Sequence, residues 1–478
     1  MDEMVLETQQ WLNETYKGRH GYNKVPENGK TGWDTIYGLT RAALWCKGFN
    51  PGGFSGVFYE NTESAVKEFQ KAAGLTKQDG IVTALIMKAL LDMSAFRLVA
   101  GGDKRIRQIQ QNLNRDYNDY IGLMPCDGLY ARDTNKALIY ALQKEEGMST
   151  SVANGFFGNG TTSLCPTLTP GDARTGFVLI VQYALYCNGE AFDPCEFDGK
   201  YGVGVVSAVK AFQEFMCLPQ TGYADMPTIK ALLSSSGDTT RAASACDTAT
   251  ILTADTAQTL RENGYKIVGR YLTGNVRIGS DLVTSKALTK EELSIIFNAG
   301  LNVFPIYQDG GYESSYFVKN QGTRDAYSAA DAARTLGFPS GTTIYFAVDF
   351  DAYDYEVTNK IIPYFKEIKA AFNNMQKFPY SPQYQIGVYG PRNICIRTAE
   401  EKLTTHSFVA NMSTGFSGNL GYPMPKNWAF DQFYEGTVNG KSNPEALPLT
   451  KIVIPEKIAV PQACSRLKIQ LMMHGYVP

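Results

Sequence analysis

The chain has 478 residues, 45 basic against 47 acidic side chains, and 12% aromatic content that includes 28 tyrosines. The near-balance of charge removes the basic footprint of a dedicated nucleic-acid binder, and no apolar run approaches the roughly 20 residues that span a bilayer. One hydrophobic core does not usually organise this length, so about two to four domains are expected.

The opening segment MDEM lacks the basic and apolar regions of a signal peptide, so synthesis in the cytoplasm is expected. Nine cysteines form an odd set without a CxxC pair, and His20, His406 and His474 are far apart with no HExxH pattern. Neither a disulfide framework nor a zinc hydrolase site follows from them, and no metal or cofactor is expected.

The front half repeats. Residues 54–75 (FSGVFYENTESAVKEFQKAAGL) and 197–218 (FDGKYGVGVVSAVKAFQEFMCL) align without a gap, and a weaker copy runs from Asp127-Gly128 through Thr134, Ala137 and Leu138 to Gln143. Gly56, Gly128 and Gly199 supply turns. Ala65, Val66 and Phe69, like Ala208, Val209 and Phe212, then fall on one helical face and are assigned to core. Larger echoes, QQWLN at 9–13 with QQNLN at 110–114 and ALWCKG at 43–48 with ALYCNG at 184–189, give two units, 1–95 and 104–236. This order of Gln-x-Leu, Asp-Gly-x-aromatic, Ala-Val, Phe-Gln and Gly-Leu resembles the peptidoglycan-binding type 1 domain. The resemblance implies small helical modules and peptidoglycan as partner; the plainer alternative is a spacer or protein-docking arm.

Residues 234–240 (SSSGDTT) are small and polar and mark a boundary near 236–245. Beyond it, strands expected at 266–272, 302–308, 343–349, 385–389 and 407–411 alternate with helices at 289–299, 324–336 and 356–373. Alternation favours a parallel α/β sheet or barrel over 245–445, followed by a C-terminal extension, 446–478, whose KIVI segment at 451–454 either completes the barrel or packs outside it. About 200 residues is short for an eight-stranded barrel, so irregular closure is anticipated. Thr289 and Glu292 have the spacing of a capping box at the entry to the helix that precedes 302–308.

The run IYFAVDFD at 344–351 ends in two carboxylates separated by one residue. On a strand, Tyr345, Ala347, Asp349 and Asp351 share one face, which delivers paired acids to the carboxyl end, where parallel α/β folds place active sites. Such residues lie about 6.6 Å apart, between the roughly 5–5.5 Å of retaining pairs and the upper part of the 6.5–9.5 Å inverting range, which leaves stereochemistry open. An EF-hand loop starting at Asp349 fails at Tyr353, Asp354 and Lys360. Solvated loop carboxylates are the bland alternative, and a Cys/His peptidase using Cys246 or Cys395 with His406 has no local signature to support it.

The segments SACD at 244–247, YKIVGRYLTG at 265–274, VFPIYQ at 303–308, LGFP at 336–339, the acidic run and IGVY at 386–389 closely resemble the glycoside-hydrolase-like TIM barrels once catalogued as a domain of unknown function, distantly similar to the family 25 muramidases. The resemblance implies a multidomain chain of α-helical repeats followed by a TIM-like barrel, acting as an endolysin-like muramidase on wall glycan after lysis or non-Sec export. It places an acid on the first strand, here Asp247, and an Asp-x-Glu pair on the fourth, here Asp349 and the shorter Asp351. Asp351 is then expected as general acid, Asp349 as the ionised partner and Asp247 as a positioning acid, with Arg270, Tyr271, Gln308, Tyr389, Asn411 and Gln432 contacting an amino sugar. WAFDQFY at 428–434 is similar to the family's late strand without an obvious acid after it. A non-catalytic wall-binding protein with a degenerate barrel is the competing class.

Overall fold

The computed structural model describes residues 1–19, 22–53, 60–278, 282–378, 381–440 and 447–455. His20, His474, Gly56 and most of the 446–478 extension lie outside them. The chain forms two compact units, one of Met1–Cys165, Gly171–Cys187 and Cys195–Tyr201, the other of Pro166–Pro170, Asn188–Pro194 and the chain from Gly202 onward.

The helical region is organised by a buried glutamine that recurs along it. Gln110 lies in helix Lys104–Ile121, and its Nε2 donates to Asp127 Oδ1 (2.8 Å), Leu129 O (3.0 Å) and Thr134 Oγ1 (3.1 Å) while Oε1 accepts from Gly128 N (2.8 Å). One amide thereby saturates the turn that leads into helix Arg132–Glu145. Gln9, Gln70, Gln143, Gln182 and Gln213 make the same clamp on turns at Gly29, Gly80, Gly155, Gly199 and Gly222. The turn needs glycine: Gly128 has φ 85°, and a Cβ there would stand 2.6 Å from Asp103 O.

Between clamp and turn the separation alternates, 17 then 11 residues after Gln110 and Gln143, and 16 then 8 after Gln182 and Gln213. The expected unit 104–236 therefore carries this helix-turn-helix-turn-helix pattern twice along the sequence, over 104–164 and 175–233, with the second copy divided between the two compact units. A third spans 33–91, with buried Arg41 donating to Thr62 Oγ1 (3.0 Å) where the others carry their first glutamine. The predicted stripe is core, Ala65, Val66 and Phe69 packing with Phe49 and Phe96.

The polar stretch at the expected boundary is packed down. Ser235 and Ser236 are buried; Ser235 Oγ donates to Asn411 O (2.8 Å), and Arg392 Nη2 donates to Ser235 O (3.2 Å). Phe215 meets Trp428 edge-on at 6.2 Å, so the helices Val203–Phe215 and Met226–Leu233 belong to the same compact unit as the strands that follow.

Among the described residues ten strands follow: β1 (Ala245–Asp247), β2 (Ile267–Tyr271), β3 (Asn275–Ile278), β4 (Leu282–Ser285), β5 (Asn302–Tyr307), β6 (Thr343–Ala347), β7 (Gln385–Gly390), β8 (His406–Val409), β9 (Trp428–Val438) and β10 (Leu447–Val453). Strands β3 and β4 make a hairpin, and the other eight close a barrel in the order β1-β10-β9-β8-β7-β6-β5-β2. All neighbours pair in parallel except β10, which runs antiparallel to both β9 and β1. The KIVI segment thus completes the barrel, and closure is irregular as its length anticipated.

Strand alternation decides what fills the interior. Phe304, Tyr345, Ala347, Phe408 and Phe430 point inward, with Phe304 stacked on Phe430 at 4.0 Å, while Phe346 turns outward to meet Phe372 at 5.9 Å. Gly269 makes room for this filling, since a Cβ there would lie 2.4 Å from the Phe304 ring and 2.9 Å from Asp247 Cβ. No described helix is long and apolar enough to cross a membrane.

Replacing Gln110 with leucine keeps the volume but strands the Gly128 amide, at a cost of about 1–3 kcal/mol. Urea unfolding should show that loss together with faster hydrogen exchange at Gly128; a change below about 0.5 kcal/mol would contradict the clamp.

Candidate active site

At the carboxyl ends of the strands two acids face one another's charge. Asp247 ends β1, is 6% exposed, and accepts at Oδ1 from Gln432 Nε2 (2.9 Å) and from the Thr450 hydroxyl of β10. Burial pushes its carboxyl up to about 6 against the pull of those two bonds, and the charges of Asp349 and Glu435 add to the rise. Asp349 follows β6, half-buried, with its amide on Gly311 O (2.8 Å) and its Oδ2 accepting from Gln308 Nε2 (3.0 Å). Burial raises this carboxyl too, while the Gln308 bond and the Lys286 charge draw it back.

Tyr271 of β2 and Tyr389 of β7 both feel the charges of Asp247 and Asp349, after burial the main reasons their hydroxyls are held well above the usual range. Tyr389 donates to Gln432 Oε1 (2.9 Å). Asp247, Asp349, Tyr271, Gln308, Tyr389 and Gln432 therefore surround one mouth.

Three other expected residues lie elsewhere. Strand β6 ends at Ala347, so its alternation does not carry on to 351, and Asp351 Oδ1 accepts instead from Ser417 N (2.6 Å) and the Ser417 hydroxyl. Arg270 is wholly buried on the outer face of β2, where Glu292 takes its Nε (2.7 Å) and Nη2 (3.2 Å). That pairing also corrects the capping-box expectation: Thr289 Oγ1 caps Glu292 N (3.1 Å), but the Glu292 carboxylate goes to the cation. Asn411 is buried in a network with Arg392 Nε (2.7 Å) and Asp431 Oδ1 (2.7 Å), and Asp431 pairs with Arg241 (2.7 Å).

Two groups at the mouth were not singled out from sequence. Lys286, just after β4 and 2% exposed, has its Nζ 3.9 Å from the Tyr271 ring centroid, 3.1 Å from Gln308 Oε1 and 3.4 Å from the Tyr312 hydroxyl. Burial lowers it to about 8. Glu435 is exposed and pairs across β9 and β10 with Thr450, placing a late acid beside Asp247. A single basic residue just after a hairpin carries no local signal of this placement; Glu435 directly follows the late-strand motif, where the expectation was of no obvious acid. The cysteines Cys246 and Cys395 are buried, the first held well above its usual range and the second pushed up to about 12, and His406 bonds Thr343 Oγ1 (3.0 Å).

Family comparison adds three matches: a putative peptidoglycan-binding domain at 39–90, the FadG/YbfG PGDB-like domain at 99–233, and the Rv2525c-like, glycoside hydrolase-like domain at 258–448. FadG of Bacillus subtilis (strain 168), an uncharacterized protein, is 46% identical over 92% of this chain and 83% of its own length. This chain belongs to the same family as FadG. YbfG of the same organism, also uncharacterized, is 78% identical over 92% of this chain; the match spans 66% of that longer protein. Among solved structures, the Mycobacterium tuberculosis Tat-secreted protein Rv2525c in complex with L-tartrate is 18% identical, covering 45% of this chain and 96% of that one with a TM-score of 0.36. The matched domain models place peptidoglycan-binding-type helices before a glycoside hydrolase-like barrel in this chain.

An Asp247 carboxyl near 6, against an ordinary 3.8, means that the folded chain binds the extra proton between those values. Its stability contribution is full below the ordinary value and is lost as pH rises toward 6, by about 3 kcal/mol. Asp247→Asn should therefore gain on the wild type by about 2–3 kcal/mol between pH 4 and pH 7 in urea unfolding, whereas an equal difference at both pH values contradicts the shift. Arg270→Met leaves Glu292 buried without its cation and should cost about 3–5 kcal/mol.

Proposed function

We propose that this protein is a glycoside hydrolase of the bacterial cell wall that cleaves the glycan strand in muramidase fashion, with its helical modules holding peptidoglycan. The observation that carries the reading is the meeting of Asp247 and Asp349 at the carboxyl-end mouth of a barrel, between Tyr271 and Tyr389. Glycosidic cleavage needs one acid that arrives protonated and one that arrives charged. Asp247, whose carboxyl burial pushes up to about 6 and whose Oδ2 is clear of its two hydrogen bonds, protonates the departing oxygen. Asp349, beside Lys286 and Gln308, stays charged and stabilises the oxocarbenium-like carbon or orients an acetamido group. The proton-donor role expected of Asp351 passes to Asp247 in this reading, because Ser417 occupies Asp351 Oδ1. Arg270 and Asn411 hold elements in place, and Gln308 and Gln432 orient the acids.

The same Ser417 bond favours a second reading, a wall-binding protein without hydrolysis, since it commits one member of the Asp-x-Asp pair to a loop.

Wild-type protein should clear a suspension of purified cell walls and release new reducing ends identifiable by mass spectrometry. Asp349→Asn and Asp247→Asn should each slow that release by about 100-fold or more while still sedimenting with walls. Sedimentation of wild type with no reducing ends released would select the binding protein instead.

A further inference from the structure

Each acid at the mouth is reached through a glutamine, and the two glutamines are fed by different groups. Lys286 Nζ donates to Gln308 Oε1 (3.1 Å), and Gln308 Nε2 donates to Asp349 Oδ2 (3.0 Å). Tyr389 donates to Gln432 Oε1 (2.9 Å), and Gln432 Nε2 donates to Asp247 Oδ1 (2.9 Å). An ammonium has donors only, so Gln308 must turn its oxygen to Lys286 and its NH₂ to Asp349. Flipping it would set NH₂ against the cation and oxygen against the carboxylate. A phenol both donates and accepts, so Gln432 can turn over when Asp247 takes a proton, with Tyr389 accepting from its NH₂.

Resting on the proposed cleavage, we infer that Lys286 is a positioning residue that acts through Gln308 to hold Asp349 as the charged member of the pair, while the Tyr389–Gln432 arm lets Asp247 exchange its proton. The hairpin is built to place it. Lys286 N bonds Gly274 O (3.0 Å), Arg270 Nη2 holds Lys286 O (3.2 Å), and Tyr271 and Tyr312 flank the ammonium. Buried Arg270 thus reaches the mouth indirectly, through the backbone of Lys286. The charged and titratable groups facing Asp349 are Lys286, Asp247, Tyr271, Tyr312 and Tyr389; Asp309 and Arg270 act on Lys286, and Glu435 on Asp247. Lys286 is the cation whose charge draws the Asp349 carboxyl down.

The test is a carboxyl-carbon NMR titration of the full chain labelled with [13C]aspartate, the two resonances assigned by their loss in Asp349→Asn and Asp247→Asn. Lys286→Met should raise the Asp349 midpoint by on the order of one pH unit and Lys286→Arg should return it toward wild type. Gln308→Leu, which keeps the cation but cuts the arm, should also raise it. Tyr389→Phe should move Asp247 and leave Asp349 in place. An unmoved Asp349 in Lys286→Met, equal displacement in the Met and Arg variants, or an unmoved Asp349 in Gln308→Leu would overturn the inference. The titration needs no substrate, so a wild type that cleaves no glycan sinks the proposed function while the midpoints still decide the role of Lys286.

Discussion

A glutamine amide that is buried with both of its ends engaged recurs in the helices and in the barrel, and each part depends on it for a different reason. In the helical modules the amide stands in for backbone partners that a tight turn cannot find, so Gln110 and its five counterparts make short connections possible without stranded peptide groups. At the barrel mouth Gln308 and Gln432 do not finish a turn but carry orientation from one side chain to an acid. An uncharged group with one donating and one accepting end suits both tasks, because it transmits direction without adding a charge whose burial would have to be offset.

The barrel is shaped by the size of what fills it. Phe304, Phe408, Phe430 and Tyr345 occupy the interior, and Gly269 is the small residue that lets Phe304 reach the centre beside Asp247. Burial is the largest cause of the raised proton affinity of both acids.

How much of this was legible in the sequence follows from the range of the forces involved. Strand alternation is local, so the inward side of Tyr345 and Ala347 and the outward side of Phe346 were readable, as was the core stripe at Ala65, Val66 and Phe69. The same rule failed for Asp351 because alternation lasts only as long as the strand, and β6 stops at Ala347. It also separated Arg270 from Tyr271, adjacent residues on opposite faces that had been expected to share a ligand. Glu292 was matched to a local capping pattern, yet a buried guanidinium is the stronger partner for a carboxylate, and that guanidinium comes from a strand 22 residues earlier. Lys286 gave no signal at all, since its meaning lies wholly in what the fold brings around it.

The antiparallel closing strand completes the setting of the first acid. Thr450 on β10 and Asp247 on β1 touch across a separation of 203 residues, and β10 is the neighbour of β1 on one side of the ring. Without that strand the β1 side of the ring would leave the first acid open to water. Its proton affinity is therefore a property of the finished ring, and a nascent chain stopped short of β10 carries every acid of the mouth without the dry setting that makes them different from one another.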